Sequence, residues 1–454
     1  MSTLNRRQLI QQALRYSGAA LAVQALPSSV LYSASAFAAQ DYKATVCVLL
    51  AGGCDSFNLL VPRSDAAYAQ YAQRRSDLAL AQNTLLALNT EHQGVTFGLH
   101  PAMSGLQTLF NQGQAACLAN IGPLSQPTTR AVYDDVSSQL PLGLFSHSDQ
   151  ITSWQTATPD ARGGTGFGGR LGDYLLGQNT GVTLANNISL SGNNLFQTGN
   201  QVGAYSLNAQ AGVRSIGGYI DNPTLKTALD ALIDYQSSNL LHNAYASKLR
   251  SAIDTGEVVS SILAQAPTLT TAFANDNFSA SMARIAQLIS VREALGVTRQ
   301  TFFVTYGGWD HHDNLLSEQA EMLPALDSGL SQFALAMDEL GLGTQVTSFT
   351  ISDFGRTLTS NGKGSDHGWG GNALVVGGAV HGGQVYGEFP ELSQDNPLDV
   401  GRGRFIPTTA VDSLYAQIAR WMGVAETDLP IVLPNWEAFV GSSQISNLDG
   451  LFTA

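Results

Sequence analysis

The chain has 454 residues, of which 44% are hydrophobic and only 13% charged, ample material for a large packed core and too little charge for extended disorder. Asp and Glu outnumber Lys and Arg by 35 to 22, and the net charge of −13 disfavours nucleic acid and anionic membrane as partners. Three cysteines at scattered positions make neither a disulfide framework nor a zinc cluster.

Residues 1–38 read as a twin-arginine (Tat) export signal. Arg6-Arg7 precedes a moderately apolar stretch interrupted by Gln24 and Pro27, and Ala36-Phe37-Ala38 is a small-x-small cleavage site. The expected destination is the periplasm or the cell exterior, with no transmembrane anchor in the mature chain. Cleavage would remove three arginines and no acid, taking −13 to −16. Residues 39–454 are expected to form a single domain.

The first strand is predicted over TVCVLLA, residues 45–51, an apolar run without alternation that suits burial on both faces. It breaks at Gly52-Gly53 and offers Asp55 and Asn58. ACLANIG (116–122) is a second such run. Cys47 and Cys117 fall in these two and read as buried thiols, with a bridge between them as the alternative. The stretch LFSHSDQ (144–150) opens a helical pattern, so Ser146 reads either as a helix cap or as a hydroxyl nucleophile activated at a helix N-terminus. His147 beside it is a ligand or a general acid. Residues 160–215, rich in Gly, Asn and Ser, predict long irregular loops.

Residues 220–297 have helical period and few strand signals, and read as a helical insertion or flank that either covers the site or packs on the sheet. TFFVTY (301–306) is again an apolar strand and ends in GGWDHHDN, which offers Asp310 and His312. The segment PALDSGLSQFALAMDEL places Leu326, Leu330, Phe333, Met337 and Leu340 on one face, with Pro324 at the expected helix start. TSFTIS (347–352) ends in SDFGRT, with Asp353 and Arg356. The next loop, NGKGSDHGWGG, carries Asp366 and His367 ahead of a strand at ALVVGG (373–378). A last helix runs to Gly423.

Strands alternating with helices predict a mostly parallel sheet between helical layers, in which functional groups collect at the carboxyl ends of strands. Asp55, Asp310, His312, Asp353, Asp366 and His367 all follow such ends. Carboxylate and imidazole together suit divalent transition ions better than calcium, which takes oxygen ligands. Trp309 and Trp369, beside these residues, read as walls of the site or as core.

Taken together, LLAGGCDSFNLLVP, FGLHPAM, LFSHSDQ with WQT, GGWDHH, ISDFGRT, SDHGWGGNALVVGGAV and PTTAVDSLYAQIARWMG resemble the DUF1501 family of exported bacterial proteins, over nearly all of the mature chain. The resemblance implies an α/β fold like that of alkaline phosphatases and sulfatases, with a central mostly parallel sheet sandwiched by helices and metals at the carboxyl strand ends. It implies a metal-dependent hydrolase of phosphate or sulfate esters, acting on an anionic and possibly carbohydrate-linked ester. The implied ligands of one or more divalent ions (zinc, manganese or calcium) are Asp55, Asp310, His312, Asp353, Asp366 and His367. Ser146 is the implied nucleophile, with His147 and Arg356 assisting. Asp353 stands where the family usually has Glu, and Asn372 where a His is common. The competing expectation is a catalytically inactive, carbohydrate- or partner-binding protein that keeps the fold.

Overall fold

A computed structural model describes residues 42–179, 186–210, 212–213, 219 and 222–453. The export signal expected at residues 1–38 lies outside these, as does part of the 160–215 stretch.

The apolar run after Lys43 forms β1 (Lys43–Ala51), whose interior is buried on both faces as its unalternating sequence requires. Further strands are β2 (Leu60–Pro62), β3 (Leu86–His92), β4 (Val95–Leu99), β5 (Ala115–Gly122), β6 (Asn187–Ser189), β7 (Tyr205–Asn208) and β8 (Gly212–Val213). The last five are β9 (Arg299–Gly307), β10 (Val346–Ser352), β11 (Gly371–Val376), β12 (Val385–Tyr386) and β13 (Thr409–Ala410). Among the described residues the main sheet runs β12-β5-β11-β10-β1-β9-β6-β7-β8, with β13 also on β5. β1 pairs in parallel with β9 and β10, and β6 in parallel with β9 and β7. β11 runs antiparallel to both β10 and β5. β8 runs antiparallel to β7 at the edge. The sheet is therefore mostly parallel, and the reversal at β11 lets the loop after β10 fold straight back. A small antiparallel sheet, β2-β4-β3, stands apart.

Register fixes where the strands end. Leu50 lies opposite Ser352, and Ala51 opposite Gly307. The three central strands thus stop at one level, and the segments that follow them meet above it.

Helices used below are α1 (Asp65–Arg75), α2 (Ser104–Asn111), α3 (His147–Thr156), α4 (Phe167–Leu175), α5 (Pro223–Asp234), α6 (Leu240–Leu263), α7 (Asn277–Ser290), α8 (Leu315–Glu339) and α9 (Val411–Met422). On one face of the sheet Cys47, Leu49, Phe303, Phe349 and Ile351 pack with residues of α4 and α9. Phe167 stacks on Tyr415 there, centroids 4.2 Å apart. Val46 and Val48 alternate onto the other face, the period-2 consequence of the pleat. α7 and α8 bury Met282, Ile285, Leu326, Leu330 and Phe333.

Two expectations change. The helix expected to start at Pro324 begins at Leu315, and Pro324 sits inside it. Proline there removes one intrahelical hydrogen bond, but the helix continues because burial of Leu315, Leu323, Leu326 and Leu330 on its inner face outweighs that loss. All three cysteines are free and buried, so the alternative Cys47–Cys117 bridge is not formed. Gly423 ends α9 in the left-handed conformation, as its position predicted.

Candidate metal centre

Two glycines let the strand ends converge. Gly52 has φ +118°, and a Cβ there would lie 2.5 Å from the backbone nitrogen of Asp310. Any side chain at 52 would push the end of β1 away from the end of β9. At Gly355 a Cβ would come within 1.9 Å of the Gly370 carbonyl, so only glycine lets the loop between β10 and β11 close on itself. That closure places Arg356 opposite His367 as a bridged pair.

At this meeting point stand His147, the first residue of α3, with Asp310 and His312 from the end of β9 and His367 from the loop before β11. Ligand atoms of His147, Asp310 and His367 all lie within 4.8 Å of one another. His312 joins them, its Nε2 being 2.9 Å from His367 Nε2 and 3.0 Å from Asp310 Oδ1. His147 Nε2 is 3.6 Å from Asp310 Oδ2.

The far nitrogen of each ring fixes its tautomer. His147 Nδ1 is 2.6 Å from Asp353 Oδ2, and Asp353 is 1% exposed and also accepts from the Gly52 N–H. His367 Nδ1 is 2.8 Å from the Phe145 carbonyl oxygen, which can only accept. His312 Nδ1 is 3.2 Å from Asp366 Oδ1. Each Nδ1 therefore carries a hydrogen, which leaves Nε2 as the nitrogen that can present a lone pair to the centre in the neutral ring. Two lone pairs facing each other at 2.9 Å need a proton or a cation between them. Three imidazoles held from behind by carboxylates and a carbonyl, beside a carboxylate, offer a donor set that would fit a divalent transition ion.

Electrostatics agree. Burial works to raise the Asp310 carboxyl, but the Arg356 guanidinium, His312 and His147 overcome it and hold the group below its ordinary range. Burial likewise opposes Asp366, yet hydrogen bonds from Asn361, Arg402 and His312 bring it down to about 2. The His367 imidazole is lowered, chiefly by burial, despite its bond to Phe145. The shift favours the neutral imidazole, the form a metal ligand needs.

The remaining expected residues lie around this centre. Asp353 and Asp366 stand behind the imidazoles. Asp55 is fully buried, and its contacts are with Arg75 of α1, at 3.0 Å, and Ser365, at 2.6 Å, rather than with the imidazoles. Ser146 precedes α3, and its hydroxyl lies 3.3 Å from that of Ser148. Arg356 is completely enclosed. It donates to the carbonyls of Gly53 and Gly52, both at 2.7 Å, to that of Ser365 at 3.0 Å, and to the Asp310 carboxylate. Its guanidinium ties three loops together. Trp309 and Trp369 are both fully buried and belong to the packing.

Arg402 is a neighbour that the sequence reading passed over. Its Nη1 is 2.5 Å from Asp366 Oδ2, and its side chain is 44% exposed. Its backbone is left-handed at φ +61°, a conformation uncommon outside glycine and often kept at functional sites. Asp399 holds that turn, accepting from the N–H groups of Gly401 and Gly403 while pairing with Arg74 at 2.7 Å. The only sequence signal was the alternation Gly401-Arg402-Gly403-Arg404, which reads as an ordinary turn.

Comparison with solved structures gives distant likenesses. The Ps i-CgsB structure in complex with k-i-k-neocarrahexaose has 11% identity and a TM-score of 0.34, covering 88% of this chain and 76% of that one. The PsFucS1 sulfatase from Pseudoalteromonas sp. has 10% identity and a TM-score of 0.33, covering 85% and 68%. A mutant of the alkaline phosphatase PafA has 10% identity and a TM-score of 0.29, covering 70% and 63%. No curated protein sequence matches. The sequence profile described as "Protein of unknown function (DUF1501)" matches residues 42–429. The chain belongs to the DUF1501 family.

Proposed function

We propose that this protein is an exported, metal-dependent hydrolase of phosphate or sulfate esters, in which His147, Asp310, His312 and His367 hold a divalent ion. The observation that carries the reading is the convergence of three Nε2 lone pairs beside Asp310, each imidazole locked by an acceptor at Nδ1. Nitrogen donors favour zinc or manganese over calcium. A bound ion would supply Lewis acidity toward the ester oxygens.

The chain's own residues do the rest. Asp353 and Asp366 orient His147 and His312. Arg356 ties the loop after β1 to the two loops that carry Asp310, His312 and His367 and holds them at one spacing. With Arg356 enclosed, Arg402 is the half-exposed cation beside the cluster and is assigned to the anionic group of the ester. Ser146, at the amino end of α3, is assigned as the attacking hydroxyl, which the helix dipole favours in its ionised form. Carbohydrate-linked esters belong among the substrates to be tried. The twin-arginine signal in the sequence supports export, and among the described residues no helix is long and apolar enough to cross a membrane.

The test is metal analysis of the purified protein together with assays on aryl phosphates and aryl sulfates. One or more divalent ions and ester hydrolysis, both lost in His367→Ala, are expected. A protein that neither carries nor takes up zinc or manganese ends the proposal.

One observation favours a second reading, a catalytically inactive carbohydrate- or partner-binding protein. The Ser146 hydroxyl is engaged by Ser148 rather than by the cluster. Ion uptake without turnover, with ligand binding intact in Ser146→Ala, would establish it.

A further inference from the structure

The helical insertion has an outer end that its own fold does not cover. α6 is 24 residues long and buries only Ala246, Gly256 and Val259. α5 buries only Ile233. Where the two helices meet, Leu232, Tyr235, Leu240, Leu241 and Tyr245 are exposed at 65, 64, 83, 80 and 71%. These side chains are neighbours. Leu241 and Tyr245, four residues apart, share a face of α6, and Tyr235 caps α5 three residues after Leu232. The rings of Tyr235 and His242 are 6.1 Å apart, which brings the end of α5 against the start of α6. Asn243 bonds the backbone of Ser237 at both its N–H and its carbonyl and fixes the turn between them.

A whole aromatic side chain carries roughly 150–250 Å², so these exposures leave on the order of 600 Å² of apolar surface, at the upper end for a monomer and most of the ~800 Å² that each partner of a standard interface buries.

Charge selects the occupant. The hairpin 223–263 holds three basic and four acidic side chains, nearly neutral in a chain of net charge −13. Lys226 and Arg250 are spent on Asp230, at 3.1 and 2.7 Å. A membrane-seated helix would carry a basic rim, and this patch lacks one among the described residues. A second copy needs no complementary charge, only a matching apolar and nearly neutral surface. We infer that the α5–α6 tip is the face on which two copies of this chain associate, related by a two-fold axis.

Sedimentation velocity of the purified full-length protein, over concentrations from about 1 to about 100 µM, spans the affinities expected of interfaces this size. The expected result is a dimer across most of that range. Leu241→Asp and Tyr245→Asp, both at exposed positions, should give monomers with unchanged circular dichroism and ion content. A wild-type protein that stays monomeric throughout overturns the inference, whether or not it sediments with phosphatidylcholine–phosphatidylglycerol vesicles. So does a dimer that survives both substitutions. Neither result bears on ester hydrolysis, which is read separately.

Discussion

Nδ1 of His147 lies 2.6 Å from Oδ2 of Asp353, a side chain 1% exposed that also receives the Gly52 N–H at 2.9 Å. One carboxylate therefore binds the end of β1 to the first residue of α3, and it decides which nitrogen of His147 is free. Asp353→Asn keeps the acceptor for Gly52 but weakens the hold on the His147 N–H. Affinity for zinc or manganese should fall by about 10–100-fold with the fold intact. Competition against a chromogenic chelator measures it, and an unchanged affinity would remove Asp353 from the centre.

The two arginines near the ligands should behave oppositely. Arg356→Ala leaves the carbonyls of Gly52, Gly53 and Ser365 and the Asp310 carboxylate without their shared donor. A loss of about 3–5 kcal/mol in urea denaturation is expected, a buried network broken from one side. Arg402→Ala, at a half-exposed position, should change stability by less than about 1 kcal/mol. Its effect should appear instead in KM and in the affinity for inorganic phosphate or sulfate, weakened by roughly 10–100-fold with kcat little altered. Equal behaviour of the two variants would refute this division of labour.

Much of this arrangement was legible in residue order. β1, β9 and β10 were visible because strands buried on both faces need unbroken apolar runs, and each run stops at a glycine or at Ser-Asp. Residues just beyond such stops share one end of a parallel sheet, so Asp310, His312 and Asp353 could be grouped before any coordinates. Asp55 carries the same local signal. What separates it from Asp310 is Arg75, which α1 delivers twenty residues later, and no local pattern announces that pairing. The enclosure of Arg356 was hidden for a similar reason, since carbonyl partners leave no trace in side-chain identity. Pro324 misled because proline favours a first turn, whereas here the preceding turns are stabilised by tertiary burial.

Ser146→Ala separates the two functional readings. If Ser146 attacks the ester, hydrolysis should fall by at least about 1,000-fold while ion content and phosphate affinity hold. Ser146→Cys offers a second nucleophile at the same place. Steady-state rates on an aryl phosphate and an aryl sulfate decide it, and turnover that persists in the alanine variant removes the hydroxyl from the chemistry.

Asp412, in the first turn of α9, is fully buried, and among the described residues its carboxylate oxygens have no hydrogen-bond partner beyond its own backbone N–H. Burial raises its carboxyl from 3.8 to about 7, against the weaker opposite pull of its own N–H and the Arg170 guanidinium. The folded protein thus keeps a proton that the unfolded chain releases near pH 4. The stability this proton confers is complete below about pH 4 and is lost as pH rises to about 7, by on the order of 4 kcal/mol. Asp412→Asn removes the titration. Between pH 5 and pH 8 its stability should improve relative to wild type by about 2–3 kcal/mol in urea denaturation. Curves that stay parallel across that range would show that Asp412 remains charged in the folded protein.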